Sequence, residues 1–497
     1  MNYDTLKDQL KQAEEHNKTG RSAEAETLAK SILAEIKNGI HTIEGRAMIE
    51  QNTIHCSVLY LLTKIYWRRG NFQEALSTGQ ACLDLAEACA MIEIKSNTWN
   101  LLGVIHQDLS AYDEALECYQ QALTGHKQFG NKSGEASALL NIGIVHQNLG
   151  SYEKTLEYFE QALAEYQRLG ESGPIAIVTG NIGALYHALG IYDKALEFME
   201  QALTAHRELG NKSVAARVRG NIGVVYKDLN ANDKALECFE QALAEHEELG
   251  EKSGAAGDIV NIGIVYFNLG SYDKALEFFQ KALVANKELG SKSTVALITG
   301  NIGGVYNKLG SFDKALESYE QALAVHKELG SKSLIAIVTR QIGELYANKN
   351  YKGYNPSLSE EFLNKSIEIA NEIDAKAFLI ESYFSLADLY EKEESWEKAY
   401  KQFKKHHEIE KEVQSEEAKK QAENMEYRRK IEESERDRQV KLARFQEQEK
   451  ILLNILPAQI AERILEGEKQ IADLHEHVSV FLAISLFYTV VSARFSR

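Results

Sequence analysis

The stretch NIGIVHQNLGSYEKTLEYFEQALAEYQRLG, Asn141–Gly170, decides the fold, because it returns every 40 residues. NIGALYHALGIYDKALEFMEQAL follows from Asn181 and NIGVVYKDLNANDKALECFEQAL from Asn221, and the pattern restarts at Asn261 and Asn301. The same phase reaches back to Leu101 and Leu61. Self-similarity at a period between about 20 and 50 residues is the mark of stacked supersecondary units. A length of 497 residues would otherwise suggest about three domains. Most of this length is instead set by the number of repeats.

Within each unit the apolar residues follow two helical periods. A small residue stands at Gly103, Gly143, Gly183, Gly223, Gly263, Gly303 and Gly343, and three residues later a ring at His106, His146, Tyr186, Tyr226, Tyr266, Tyr306 and Tyr346. The spacing predicts small facing large across one turn of the first helix, with His106 and His146 as buried core residues, not metal ligands. On the second helix Ala115, Tyr119 and Ala122 share a face, as do Ala235, Phe239 and Ala242. Gly130, Gly170, Gly210, Gly250, Gly290 and Gly330 are placed to end that helix in the left-handed conformation. Ser133, Ser213, Ser253, Ser293 and Ser333 are expected to cap the next helix, and Pro174 to occupy a first helical position.

This small, aromatic and alanine pattern resembles the tetratricopeptide repeat in its 40-residue form, similar to the Leu-Gly-Asn (Pins-type) scaffold proteins and bacterial signalling proteins. The resemblance covers roughly residues 55 to 412. Trp99 stands where the family often has a tryptophan. The usual proline after the second helix is absent, and a longer LGNKS-type loop is expected in its place. The fold implied is all-α: a helix-pair solenoid winding as a right-handed superhelix, then a long coiled-coil helix and an orphan C-terminal segment. Residues 1–55 read as a degenerate N-terminal cap, 56–335 as seven regular units, and 336–412 as degenerate units disturbed by a four-residue insertion near Tyr354–Ser357.

In such an array the first helices line the concave face. Asn141, Asn181, Asn221, Asn261 and Asn301 would form a ladder along it. An asparagine amide carries both donors and an acceptor, so it can pair with any peptide backbone, and the family resemblance implies that use. The expected partner is a peptide or protein segment. Gly180, Gly220 and Gly300 before the ladder, and Ala184, Val224 and Gly304 after it, leave out the remaining residues of a chaperone-type carboxylate clamp. Gln147, His187, Lys227, Phe267 and Asn307 are candidates for selectivity.

Composition narrows the function. The formal net charge of −17 argues against a nucleic-acid partner. With only three prolines, the chain suits long helices. Cys56, Cys82, Cys89, Cys118 and Cys238 form no CxxC pair and read as core residues of a cytoplasmic protein. MNYDTLKDQLKQ has no apolar signal core, and the uncharged run Val478–Ala493 falls short of a membrane span. No metal or cofactor is implied.

From Glu410 to Glu449, 22 of 40 residues are charged and none is glycine or proline. Ile431, Leu442, Phe445, Leu452 and Leu456 give an apolar seam that predicts a dimeric coiled coil over 413–456. Next, ILLNILPAQIAERILEGEKQIADLHEHVSV, Ile451–Val480, resembles the entry segment of class III adenylate/guanylate cyclases. In that resemblance Ile484 stands where the family's first metal-binding aspartate belongs, and Phe487 where a turn glycine belongs. Residues 457–497 thus read as the truncated start of a cyclase-like domain without catalytic ability. The alternative is the regulatory part of a cyclase signalling protein.

Overall fold

The computed structural model describes residues 3–38 and 46–414, with isolated positions between 440 and 450. Helices run in chain order as α1 (Tyr3–Lys18), α2 (Ser22–Asn38), α3 (Arg46–Arg68), α4 (Phe72–Ala88), α5 (Ile92–Asp108), α6 (Tyr112–Phe129), α7 (Lys132–Asn148), α8 (Tyr152–Leu169), α9 (Ser172–Ala188) and α10 (Tyr192–Glu208). They continue as α11 (Lys212–Asp228), α12 (Asn232–Glu248), α13 (Lys252–Asn268), α14 (Tyr272–Glu288), α15 (Lys292–Lys308), α16 (Phe312–Glu328), α17 (Lys332–Tyr346), α18 (Pro356–Glu372) and α19 (Lys376–Lys392). A last helical stretch, α20, covers 396–414. No strand occurs among the described residues. Each helix packs on its chain neighbours, giving a tetratricopeptide-like stack of antiparallel pairs. All these helices fall in one compact unit, Met1–Ser415.

The 40-residue period is two 20-residue halves. In the regular units both helices are typically 17 residues long, joined by connections of about three residues. A left-handed residue closes each half: Gly130, Gly150, Gly170, Gly190 and Gly210 all have φ near 70°. Ser110 and Asn230 take the same conformation without glycine. At each such end the N–H after the left-handed residue bonds back to a carbonyl five residues earlier, as Asn131 does to His126 (2.9 Å) and Ser151 to His146 (2.8 Å). These bonds satisfy carbonyls that the helix end leaves open.

Several expectations are corrected here. The LGNKS segment is no longer loop: the residues that extend the repeat to 40 lengthen its helices instead. The serines at 133, 213, 253, 293 and 333 lie inside the first turn, because the helices begin one residue earlier. The cap positions are Asn131, Asn211, Glu251, Ser291 and Ser331; Asn131 accepts from the Gly134 N–H (2.9 Å). Ser133 instead donates to the Glu171 carboxylate (2.9 Å). Pro174 is the third residue of α9, where its missing N–H still has no intrahelical acceptor.

The large partner of each small residue is on the second helix, not one turn along the first. A Cβ at Gly143 would come within 2.6 Å of the Phe159 ring, one at Gly223 within 2.8 Å of Phe239, and one at Gly303 within 2.7 Å of Tyr319. The next pair completes the enclosure: Ile262 and Val265 of α13 join Ala235 and Phe239 of α12 in one cluster. His106 and His146 are only half-buried. His146 stacks on Tyr158 of α8, with centroids 5.5 Å apart.

The chain around the insertion is folded. Residues 347–355 close on Tyr351, 9% exposed, whose ring meets Phe312 and Tyr346. Asn355 then caps α18 through the Leu358 N–H (3.1 Å), and Pro356 takes its first position. Cys56, Cys82 and Cys118 are buried, and Cys89 and Cys238 half-buried. Among the described residues no helix is long and apolar enough to cross a membrane. The coiled-coil seam, the cyclase-like stretch Ile451–Val480 and the orphan tail lie outside the described residues.

Candidate functional site

The odd-numbered helices form one wall of the stack. Each of α3, α5, α11, α15 and α17 also touches the next odd helix, while the even helices share no contact of that extent. Stacked pairs that approach more closely on one side curl toward it, so the odd helices line the inner face.

Each ladder asparagine is the tenth residue of its helix: Asn141 on α7, Asn181 on α9, Asn221 on α11, Asn261 on α13 and Asn301 on α15. Asn141 donates from Nδ2 to Asn100 Oδ1 of α5 (3.0 Å), which places this position at the seam between odd helices. Among the described residues, nothing hydrogen-bonds to the other four amides. Asn221 is exposed, and the rest are half-buried.

The selectivity candidates are more occupied than a solvated face would be. His187 Nε2 of α9 lies 2.9 Å from Asp228 Oδ2 of α11, and Lys227 Nζ lies 3.4 Å from the other oxygen. Phe267 packs edge-on against Tyr272, at 5.6 Å between centroids. Gln147 and Asn307 are half-buried on the same wall. Further bonds tie odd helices together toward both ends. Trp67 Nε1 donates to Asp108 (2.6 Å), and Ser385 Oγ donates to Glu344 (2.7 Å), which also pairs with Arg340. Arg340 reaches on to Glu381 of α19 (2.6 Å).

Sequence reasoning missed two features. A cavity of about 510 Å³ lies between α17 with its following connection and α19, bordered by Glu344, Asn348, Lys349, Phe384, Asp388 and Lys392. It follows from the insertion, whose folded shape had no signal in the repeat pattern. The second is a buried polar column on the even helices: His126, Tyr166, His206, His246, Asn286 and His326, none above 5% exposed. Burial lowers the pKa of His126, His206 and His326, and their Nδ1 atoms have no protein partner. His246 instead meets the buried Asp258 (2.7 Å), whose pKa burial raises against the pull of the imidazole. Their 40-residue spacing, four residues before each glycine, was the available signal.

A stack of helix pairs with an asparagine-bearing inner wall defines an α-solenoid of the scaffold class. Family models described as tetratricopeptide repeat match residues 58–90, 95–168, 174–246, 221–289 and 256–328, together more than half of the chain. The chain belongs to the tetratricopeptide-repeat family. No curated protein matches it. Among solved structures, the apo quorum sensor NprR from B. thuringiensis is similar at 15% identity and a TM-score of 0.52, covering 74% of this chain and 99% of its own. Aspartyl phosphate phosphatase F from Bacillus subtilis is similar at 16% and 0.50, covering 75% and 96%. A signal-transduction ATPase with a tetratricopeptide-repeat sensor from Pyrococcus horikoshii is similar at 16% and 0.52, covering 76% and 55%.

Proposed function

We propose that the inner wall is a receptor for an extended peptide or protein segment, held through its backbone by Asn181, Asn221, Asn261 and Asn301, with Asn141 at the edge. The observation that carries this reading is the contrast along the wall. Asn141 at the edge of the ladder is bonded to Asn100 of the preceding odd helix, and His187 of α9 ties to Asp228 of α11, whereas among the described residues the four successive side-chain amides at 181, 221, 261 and 301 have no hydrogen-bond partner. Each can donate to a carbonyl and accept from an N–H of a bound chain, and each such bond contributes about 0.5–1.5 kcal/mol net. The half-buried Gln147, His187, Lys227, Phe267 and Asn307 then read side chains.

The helix beyond the repeats pairs two copies, which the seam of Ile431, Leu442, Phe445, Leu452 and Leu456 supports. The chain itself makes no cyclic nucleotide: isoleucine at 484 cannot hold the metal that a class III cyclase needs for phosphoryl transfer. Cyclic nucleotide formed from ATP or GTP with Mn²⁺ would contradict that part.

The receptor test uses peptides selected by the wild-type chain from a displayed random library. Changing Asn181, Asn221 and Asn261 together to alanine abolishes their binding and leaves helicity unchanged. Unaltered binding would sink the ladder.

A further inference from the structure

Two thiols meet between α3 and α4. Cys56 of α3 and Cys82 of α4 are both fully buried and, with Ala86, form one apolar cluster. Cys82 Sγ donates to the Cys56 carbonyl oxygen (3.3 Å) and lies 3.3 Å from Thr98 Oγ1 of α5. The two cysteine side chains also hydrogen-bond to each other, thiol to thiol.

The repeat shows why they meet. The same two places hold Ala176 and Ala202, Ala216 and Ala242, and Ala256 and Ala282 in later units, all buried. Alanine on both helices marks a point of close approach within the pair. Between α17 and α18 the equivalents are Ala336 and Ser366, and Ser366 Oγ donates to the Ala336 carbonyl oxygen (2.9 Å) as Cys82 does to that of Cys56. A disulfide needs its two Cβ atoms about 3.5–4.5 Å apart, and thiols already in contact across such an approach close one by turning their side chains. Their surroundings also set their roles. The hydrogen bond from Cys56 holds the Cys82 thiol below its ordinary pKa against the opposing effect of burial, and Thr98 adds to it. The same bond, with burial, pushes Cys56 up. Cys82 is thus the attacking thiolate and Cys56 the thiol that follows.

We propose that Cys56 and Cys82 are a redox site, which hydrogen peroxide closes to a disulfide that staples α3 to α4. The Cys82 thiolate attacks one peroxide oxygen and the O–O bond breaks, giving a sulfenic acid at Cys82 and hydroxide, which takes the Cys82 proton as water. The Cys56 sulfur then attacks the Cys82 sulfur, the S–O bond breaks, and the departing hydroxide leaves as water with the Cys56 proton. Two thiols thereby pass two electrons to one peroxide, yielding one disulfide and two waters. A dithiol reverses the bond by exchange. Because both thiols are buried, the reaction waits on local opening of α3 and α4, which a repeat array permits without unfolding elsewhere.

In the test, the full chain is reduced, freed of reductant and treated with hydrogen peroxide in native buffer. It is then alkylated in denaturant and digested at acidic residues, since Asp84 and Glu87 part Cys82 from Cys89. The expected product is a peptide pair joined through Cys56 and Cys82 that dithiothreitol separates. Cys56→Ala and Cys82→Ala introduce the residue that other units carry at these places, so the fold is kept. Each should abolish the pair, and Cys56→Ala should leave a sulfenic acid at Cys82 that dimedone traps. Amides of α3 and α4 should exchange at least about tenfold more slowly in the oxidised chain, because the bond restricts the opened state. Both thiols still alkylated after peroxide, or a bond from either to the half-buried Cys89, overturns the proposal. So does a disulfide that forms only in urea, or exchange in α3 and α4 that speeds up, since either means that the folded pair cannot hold the bond.

Discussion

Gly143 of α7 lies so close to Phe159 of α8 that a single added carbon at 143 would come within 2.6 Å of the ring. That contact sets the distance between the two helices of the pair, and it recurs from Gly103 against Tyr119 to Gly303 against Tyr319. The ring is fully buried and cannot swing away.

Gly143→Ala is therefore expected to destabilise. Overpacking costs about 1–3 kcal/mol, against a gain of about 1 kcal/mol in helix propensity. Gly257→Ala on α13 is the counterpart, since nothing lies within 4 Å of a Cβ there; it should stabilise by about 1 kcal/mol. A long array need not unfold in one step, so local hydrogen exchange is the readout. Amides of α7 and α8 should exchange faster in the first variant, and those of α13 more slowly in the second. Equal signs would refute the packing argument.

The buried histidines predict acid sensitivity. His126, His206 and His326 have their pKa lowered by burial. The charges nearest them differ: Glu135 and Glu93 partly oppose the shift at His126, Arg217 adds to it at His206, and at His326 burial acts alone. A histidine depressed in the folded state contributes stability that is complete above its unfolded pKa of about 6.5 and is lost as pH falls below it. Urea titrations at pH 7.5 and 5.5 should show that loss. Replacing all three by asparagine, the residue already present at 286, should flatten it.

Much of this was legible because the repeat imposes one environment many times over. Seven glycines and seven rings in register gave the helices and the turns, and the same period set Asn141, Asn181, Asn221, Asn261 and Asn301 at one position of successive odd helices. What faced each glycine was not legible, since both a ring three residues on and one sixteen residues on fit a helical period. Only the pair geometry chooses Phe159 over His146. The cap positions slipped because serine at 133 or 213 is as good a cap as asparagine two residues earlier, and periodicity does not fix the first helical residue. The cavity beside α17 was invisible because Tyr351 lies in the one stretch that does not repeat.

The pair His246 and Asp258 departs from the pattern in the core itself. Asp258 takes a position filled by Ala138, Val178, Val218, Ile298 and Val338 in other units, and both partners are 5% exposed. Removing one partner leaves the other buried without its hydrogen bond, which costs about 1–3 kcal/mol. Asp258→Ala and His246→Ala should each approach that loss. Asp258→Val combined with His246→Tyr, which reproduces the unit containing Tyr166 and Val178, should be near neutral. A double variant as unstable as the sum of the singles would show that the pair is not coupled.

The inner wall predicts a gradient of effects along the ladder. Asn141 already spends a donor on Asn100 (3.0 Å), whereas Asn221 is exposed and has no hydrogen-bond partner among the described residues. A bound peptide gains a full bond at Asn221 and at most part of one at Asn141. One net hydrogen bond of about 0.5–1.5 kcal/mol corresponds to roughly two- to twelvefold in affinity. Asn221→Ala should weaken a library-selected peptide by that factor, and Asn141→Ala by less. Asn100→Ala should raise affinity slightly by releasing the Asn141 amide, a direction opposite to that of any ladder substitution. Isothermal titration of the three variants against one peptide decides the matter. Equal losses at 141 and 221, or a loss at 100, would mean that the peptide does not follow the asparagines.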